Sequence, residues 1–280
     1  MTFIVNADDF GKNESVNDAI AKCFAKGLIQ RTTIMVNMPA ADEAAAIARE
    51  QGFADQVGIH LNLTEGRPLT SDICGNPLLC DEKGNFHAGF QQTTKYRLYM
   101  DELTIAQIRK ELDAQLEKYR TYGFALWHVD SHHHVHTNYP VLRALKPLAK
   151  KYGFSSVRLS RNLFRGGNPL MRLYKILYNR SIRKLCRTTT DYFGSYKDFA
   201  AYFSLDLPPA GTHIRSAEAG VRPAEKEREA APKIVADHNA IKNFFSKYRL
   251  EIMVHPMYDA NGVLVDTDIP MEKERILLNG

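Results

Sequence analysis

Apolar and polar positions fall into short alternating units along the first part of the chain. Phe3, Ile4 and Val5 form a brief apolar run that ends in Asn6-Ala7-Asp8-Asp9, and residues 15–26 place Val16, Ile20 and Phe24 at helical spacing before Gly27. The unit recurs as a strand at 29–36 with a helix at 40–50, then a strand at 57–61 followed by a long polar segment to about residue 103. A helix at 105–122 carries Ile108, Leu112, Gln115, Leu116 and Tyr119 on one side and leads to a strand at 124–129. The helix at 139–151 opens with Pro140, where a missing N–H costs nothing. A strand at 156–159, a basic helical stretch at 169–185, a helix at 233–247 and a strand at 250–254 complete the series, the last ending at His255-Pro256.

Such alternation predicts an α/β fold with a parallel sheet and helical crossovers. An open doubly wound sheet and a closed or partly closed barrel both fit, and both gather ligands at the carboxyl ends of the strands. A barrel is favoured because no glycine-rich phosphate loop marks a nucleotide crevice. One domain, 1–280, is expected. Pro208-Pro209-Ala210-Gly211 and the charged stretch 222–228 break the pattern and suggest an insertion around 208–248, while the tail after Pro256 reads as too short for a final strand and helix.

Composition changes this picture only a little. With 44% hydrophobic residues in 280, the chain can bury a sizeable core. Its net charge of +5 is spread among nearly as many acids as bases, with one denser basic patch from Arg158 to Arg187 that reads either as a solvated helical face or as an attraction for an anionic ligand. Cys23, Cys74, Cys80 and Cys186 show no CxxC pair and read as thiols of a reducing compartment. No leader pattern and no apolar run of about 18 residues is visible. The expectation is a soluble cytoplasmic protein with no membrane or nucleic-acid partner; a homodimer is a candidate assembly.

The densest chemistry lies in Trp127-His128-Val129-Asp130-Ser131-His132-His133-His134-Val135-His136, which holds half of the ten histidines. A purification tag would stand at a terminus, not after an apolar stretch in mid-chain. Imidazole is the usual nitrogen ligand of zinc-like ions and the usual acid or base near neutral pH. His132 and His136, four apart, fit one helical face, with His133 and His134 orienting their neighbours. Asp8 and Asp9 follow the first strand, His60 lies in the third, Arg158 in the strand after the histidines, and His255 after the last. All therefore belong to one rim. An aspartate with two histidines leaves open coordination positions, which suits a catalytic metal and hydrolysis, with a carboxylate such as Asp8 as base and His255 as acid. Zinc, cobalt, nickel or manganese suits such ligands better than magnesium. Trp127, Tyr192 and Phe193 fit either sugar stacking or core packing.

Four segments, Asn6-Ala7-Asp8-Asp9-Phe10-Gly11, Gly58-Ile59-His60-Leu61, Asp130-Ser131-His132-His133-His134-Val135-His136 and Met253-Val254-His255-Pro256, resemble the signature segments of the YdjC-like carbohydrate deacetylases, which include chitooligosaccharide deacetylase. The resemblance implies an irregular (β/α) barrel related to polysaccharide deacetylases, a divalent metal with magnesium admitted, and removal of acetyl groups from N-acetylglucosamine-containing sugars. It implies Asp9, His60 and His132 as metal ligands, Asp8 as base and His255 as acid. Arg158, His133, His136 and Asp130 are then orienting or substrate-contacting neighbours, with His136 an alternative ligand to His132. Two other readings stay open: a metal-dependent hydrolase of a phosphorylated or otherwise anionic small molecule, and a barrel that binds without catalysis.

Overall fold

The structure is a computed structural model that describes residues 3–164, 168–203, 238–266 and 269–270. The tail beyond 270 and residues 208–237 of the expected insertion lie outside the described residues.

The first strand, β1 (Phe3–Phe10), is longer than its apolar run because it continues through both aspartates. It is followed by α1 (Glu14–Ala25), β2 (Arg31–Ile34), α2 (Ala41–Glu50) and β3 (Val57–Leu61). After a looped segment with the short α3 (Thr94–Leu98) come α4 (Glu102–Thr121), β4 (His128–Ser131), α5 (Tyr139–Tyr152), β5 (Ser156–Val157) and α6 (Pro169–Arg183). The chain closes with β6 (Tyr192–Ser195), α7 (Tyr196–Phe203), α8 (His238–Lys247), β7 (Leu250–Val254), β8 (Pro256–Tyr258), β9 (Leu264–Asp266) and β10 (Ile269–Pro270).

Local sequence explains the longer helices. Asp101 caps α4 by accepting from the Thr104 N–H, and Ile105, Ile108, Leu112, Leu116 and Tyr119 bury one face. In α5, Pro140 occupies the first turn and Gly153 ends the helix in the left-handed conformation at φ 65°. Val141, Leu142, Leu145 and Leu148 turn inward between them.

Seven strands form one sheet in the order β5-β4-β3-β2-β1-β7-β6, and every pairing is parallel. β8, β9 and β10 make a small antiparallel sheet. The large sheet curls until the chain after β5 meets β6: the Asn162 and Leu163 N–H groups donate to the Phe193 carbonyl at 3.1 and 3.2 Å, and the Phe193 N–H donates to Asn162 Oδ1 at 2.8 Å. Side-chain and loop hydrogen bonds replace a strand ladder at this seam, which makes the barrel irregular. Between the neighbouring β3 and β4 the approach is close, since a Cβ at Gly58 would lie 2.7 Å from the His128 carbonyl.

Several boundaries differ from expectation. The strand expected at 156–159 stops at Val157, so Arg158 lies just past it, although its N–H still donates to the Val129 carbonyl. The strand expected at 124–129 begins only at His128, because Trp127 packs sideways, stacked on Tyr152 and edge-on to Tyr119. β6 was hidden in a sequence that reads as two aromatics before Gly194. Phe193 is fully buried, which is the packing role.

Candidate active site

Asp8 and Asp9 occupy adjacent positions of β1 yet serve one rim because the strand is irregular there. The pairing of β1 with β2 slips between Ala7 and Phe10, and Asp9 takes a left-handed conformation at φ 70°. Such a bulge re-aims a side chain at the cost of backbone strain, a feature concentrated at functional sites.

Asp9, His60 and His132 converge. Asp9 Oδ1 lies 3.2 Å from His60 Nε2 and 2.8 Å from His132 Nδ1, and the three residues present ligand atoms all within 4.8 Å of one another. Behind them, His60 Nδ1 is 2.7 Å from Asp130 Oδ1, which fixes the ring so that Nε2 faces Asp9. Burial favours a neutral His60, but the Asp130 carboxylate with Asp9 and Asp8 outweighs it and pushes the ring's pKa up to about 10. For Asp9, burial raises the pKa, but hydrogen bonds to His132 and His60 win and hold it well below the usual range. The carboxylates that favour a proton on this imidazole would also attract a divalent cation, which has to displace that proton to bind.

Asp8 belongs to a different network. Arg158, wholly buried, donates to Asp8 Oδ2 at 2.6 Å and to Oδ1 at 2.7 Å, while Asn6 Nδ2 donates to Oδ1 at 2.8 Å. Burial would raise the Asp8 pKa, yet the guanidinium lowers it far below the ordinary value, so the carboxylate is ionised. Arg158 also reaches Asp130 Oδ2 at 2.8 Å and, through Nε, Glu251 Oε1 at 2.6 Å. Glu251 in turn pairs with Arg31 at 2.9 Å, and Arg31 Nε donates to Asn6 Oδ1 at 2.7 Å. The ring Asp8–Arg158–Glu251–Arg31–Asn6 is closed. Two further acid and histidine groupings, Asp8 with His60 and Asp130, and His128 with Asp130 and Glu251, already have the Arg158 cation among them. The Asp9, His60 and His132 set is the one among these whose shared face carries no arginine.

His255 approaches Asp8 from the end of β7, with Nε2 at 4.0 Å from Asp8 Oδ2. Its backbone N–H donates to Asp266 Oδ1 at 2.8 Å, and the ring Nδ1 lies 3.8 Å from the same oxygen. Burial lowers its pKa, but Asp266, Asp8 and Asp9 outweigh this and raise it, so the ring tends toward its proton-carrying form.

The remaining histidines separate, and the expectation of a shared helical face for His132 and His136 is overturned. His133 and His134 both adopt positive φ, at 50° and 56°, which kinks the segment and sends the two rings apart. His136 Nδ1 is held at 2.5 Å by Ser131 Oγ and Nε2 at 3.1 Å by the Arg158 carbonyl, so both nitrogens are engaged away from Asp9. Burial drives its pKa down to about 4, a neutral strut for the backbone of Arg158. His133 packs against His132 with the rings tilted by 32° and their centroids 4.0 Å apart, and it contacts Thr64. His134 packs edge-on to Phe193.

Glu65 and Glu251 escaped the sequence reading. Glu65 Oε2 lies 3.0 Å from His132 Nε2 and accepts from Lys12 Nζ at 2.8 Å. Its loop is anchored by Asn62, whose side chain accepts from the Thr64 and Glu65 N–H groups and whose backbone is bracketed by Gln115. Beside His133 and His134 runs a groove of about 480 Å³ whose walls include Arg97, Arg161, Tyr174 and Lys175.

The family model described as YdjC-like protein matches residues 2–277. The chain belongs to the YdjC-like family. Among its relatives are proteins named carbohydrate deacetylase from Thermoanaerobacter pseudethanolicus, 38% identical over 152 residues (53% of this chain and 57% of the relative), and from Geobacillus stearothermophilus, 40% identical over 149 residues (53% and 56%). A third, from Vibrio cholerae, is 40% identical over 152 residues (54% and 56%). The chain thus spans a little over half the length of these YdjC-like relatives. The fold is also similar to the crystal structure of an Enterococcus faecalis protein described as a candidate cellobiose-phosphate cleavage protein, with a TM-score of 0.59 at 22% identity, covering 92% of this chain and 82% of that one.

Proposed function

We propose that the protein is a metal-dependent hydrolase that removes N-acetyl groups from N-acetylglucosamine-containing, chitooligosaccharide-like sugars. The observation that carries this reading is the convergence of Asp9, His60 and His132 on one point, with Asp8 and His255 facing each other beside it. The name carbohydrate deacetylase borne by relatives supports it.

A divalent ion held by Asp9, His60 and His132 would polarise the amide carbonyl and acidify water. Asp8, ionised and oriented by Arg158, takes the proton from the water that attacks the carbonyl carbon. As the carbon–nitrogen bond breaks, His255 gives its proton to the departing amine, and acetate leaves. Asp130 and His136 act from behind: the first orients His60, the second braces the backbone of Arg158. We assign His133 and the groove beside it to substrate contact. The cytoplasm remains the proposed location; no disulfide joins the four cysteines, and among the described residues no helix is long and apolar enough to cross a membrane.

A second reading, hydrolysis of a phosphorylated small molecule, draws on Arg97, Arg161 and Lys175 in the groove. Acetate release from diacetylchitobiose and its 6-phosphate, before and after chelation and with magnesium, zinc, cobalt or manganese restored, tests both. Metal-dependent acetate supports the deacetylase. Phosphate release without acetate supports the alternative.

A further inference from the structure

The basic stretch that stands out in the sequence becomes α6, and its exposure is inverted. Of its large apolar residues, Leu170 is 76% exposed, Leu173 53%, Ile176 51% and Leu177 51%, whereas Tyr178, Asn179 and Ile182 face the body of the protein. At 3.6 residues per turn, Leu170, Leu173 and Leu177 follow one another along the outward side, and Ile176 lies next to them. Arg172, Ile176 and Arg180 succeed each other at four-residue intervals along one margin, and Arg183 continues it. No Asp or Glu occurs in Pro169–Arg183. The inner side of α6 is tied to the body: Asn179 exchanges hydrogen bonds with Ser160, the Tyr178 hydroxyl donates to the His136 carbonyl, Lys175 turns inward to donate to the Arg161 carbonyl, and Arg183 reaches the Asp191 carbonyl at 3.4 Å, which leaves Arg172 and Arg180 as the outward cations.

Burying an apolar stripe stabilises only if something covers it, and a contiguous exposed apolar stripe marks a candidate interaction surface. The cations choose among occupants. Two copies packed α6 to α6 about a twofold axis would set Arg172 and Arg180 of one against those of the other, with no acid on either helix to neutralise them. An anionic lipid surface matches both features. Apolar side chains enter the boundary of the acyl region, while arginines at the margin meet phosphate groups.

We infer that the outward face of α6 docks the protein onto an anionic membrane surface. This departs from the expectation of no membrane partner, which considered only segments that span a bilayer. The docked protein lies on the membrane and does not cross it. The groove beside His133 shares Met171, Tyr174 and Lys175 with α6, so it opens next to the docked face.

The test is co-sedimentation of the full chain with vesicles of phosphatidylcholine mixed with phosphatidylglycerol, against phosphatidylcholine alone. The expected result is binding to the mixed vesicles at least about tenfold tighter than to phosphatidylcholine, weakened by high salt. The double variant Leu173→Glu/Leu177→Glu loses it by about tenfold or more with circular dichroism and Tm retained, and Arg172→Glu/Arg180→Glu does the same. A Leu173→Trp variant reports insertion directly by a blue-shifted emission with mixed vesicles. Equal binding of the glutamate variants, or no binding by the wild type, overturns the inference. So does a wild-type dimer in light scattering that Leu173→Glu converts to monomer, because the face is then covered by a second copy. None of these readouts uses catalysis, so they stand or fall separately from the deacetylase reading.

Discussion

Arg158 grips Asp8 with a two-pronged pair of hydrogen bonds, at 2.6 and 2.7 Å, where neither side chain meets solvent. Removing the cation by Arg158→Met leaves Asp8, Asp130 and Glu251 buried without it. The expected loss is roughly 3–5 kcal/mol in urea unfolding, and Arg158→Lys recovers only part of it because an ammonium cannot reproduce the planar fork. A methionine variant as stable as the wild type would show that these carboxylates find other partners.

Glu251 supplies a pH signature. Burial raises its pKa, but Arg31 and Arg158 lower it from 4.5 to about 2. A depressed carboxylate adds stability that is complete above the ordinary pKa and lost as pH falls through the folded one, here about 3 kcal/mol across the window from 4.5 down to about 2. Glu251→Gln should therefore unfold at lower urea than the wild type at pH 7, with the gap narrowing steadily below pH 4.5. A gap independent of pH would mean that the charge is not what matters.

Asp8→Asn should cut acetate release by about 10²-fold or more while the protein still binds metal, since Asp8 lies outside the Asp9, His60 and His132 set. His60→Ala and His132→Ala should lose metal and turnover together. Parallel metal analysis and acetate assays decide, and equal metal loss in all three variants would contradict the division of roles.

His255→Ala should depend on the leaving group. With an amide, whose amine needs a proton, the expected loss is about 10²-fold; with an aryl acetate, whose phenolate leaves unaided, it should be within about threefold. Similar losses on both substrates would remove His255 from the acid's role.

What the sequence disclosed follows from where residues fall on strands. Asp8, Asp9, His60 and His255 were legible because each stands at or near a strand's carboxyl end, and a parallel sheet gathers those ends. The fate of the histidine run was not, because two successive left-handed residues at 133 and 134 break the helical spacing, and no glycine or asparagine announces them. Glu251 left a faint trace: an acid flanked by Leu250 and Ile252 inside an apolar strand is a buried charge in want of a partner. Its partners, Arg31 and Arg158, are more than ninety positions away, beyond any local pattern.

The neighbours of β1 in the sheet have a consequence for the order in which the chain is made. β2 pairs on one side within some thirty residues, but the other edge pairs with β7, where Ala7 lies opposite Val254. During synthesis Asp9, His60 and His132 leave the ribosome with half the chain still to come, whereas the edge of β1 that carries Phe3 to Ala7 waits unpaired for the last strand of the large sheet. Until β7 emerges, that apolar edge is open to wrong pairing.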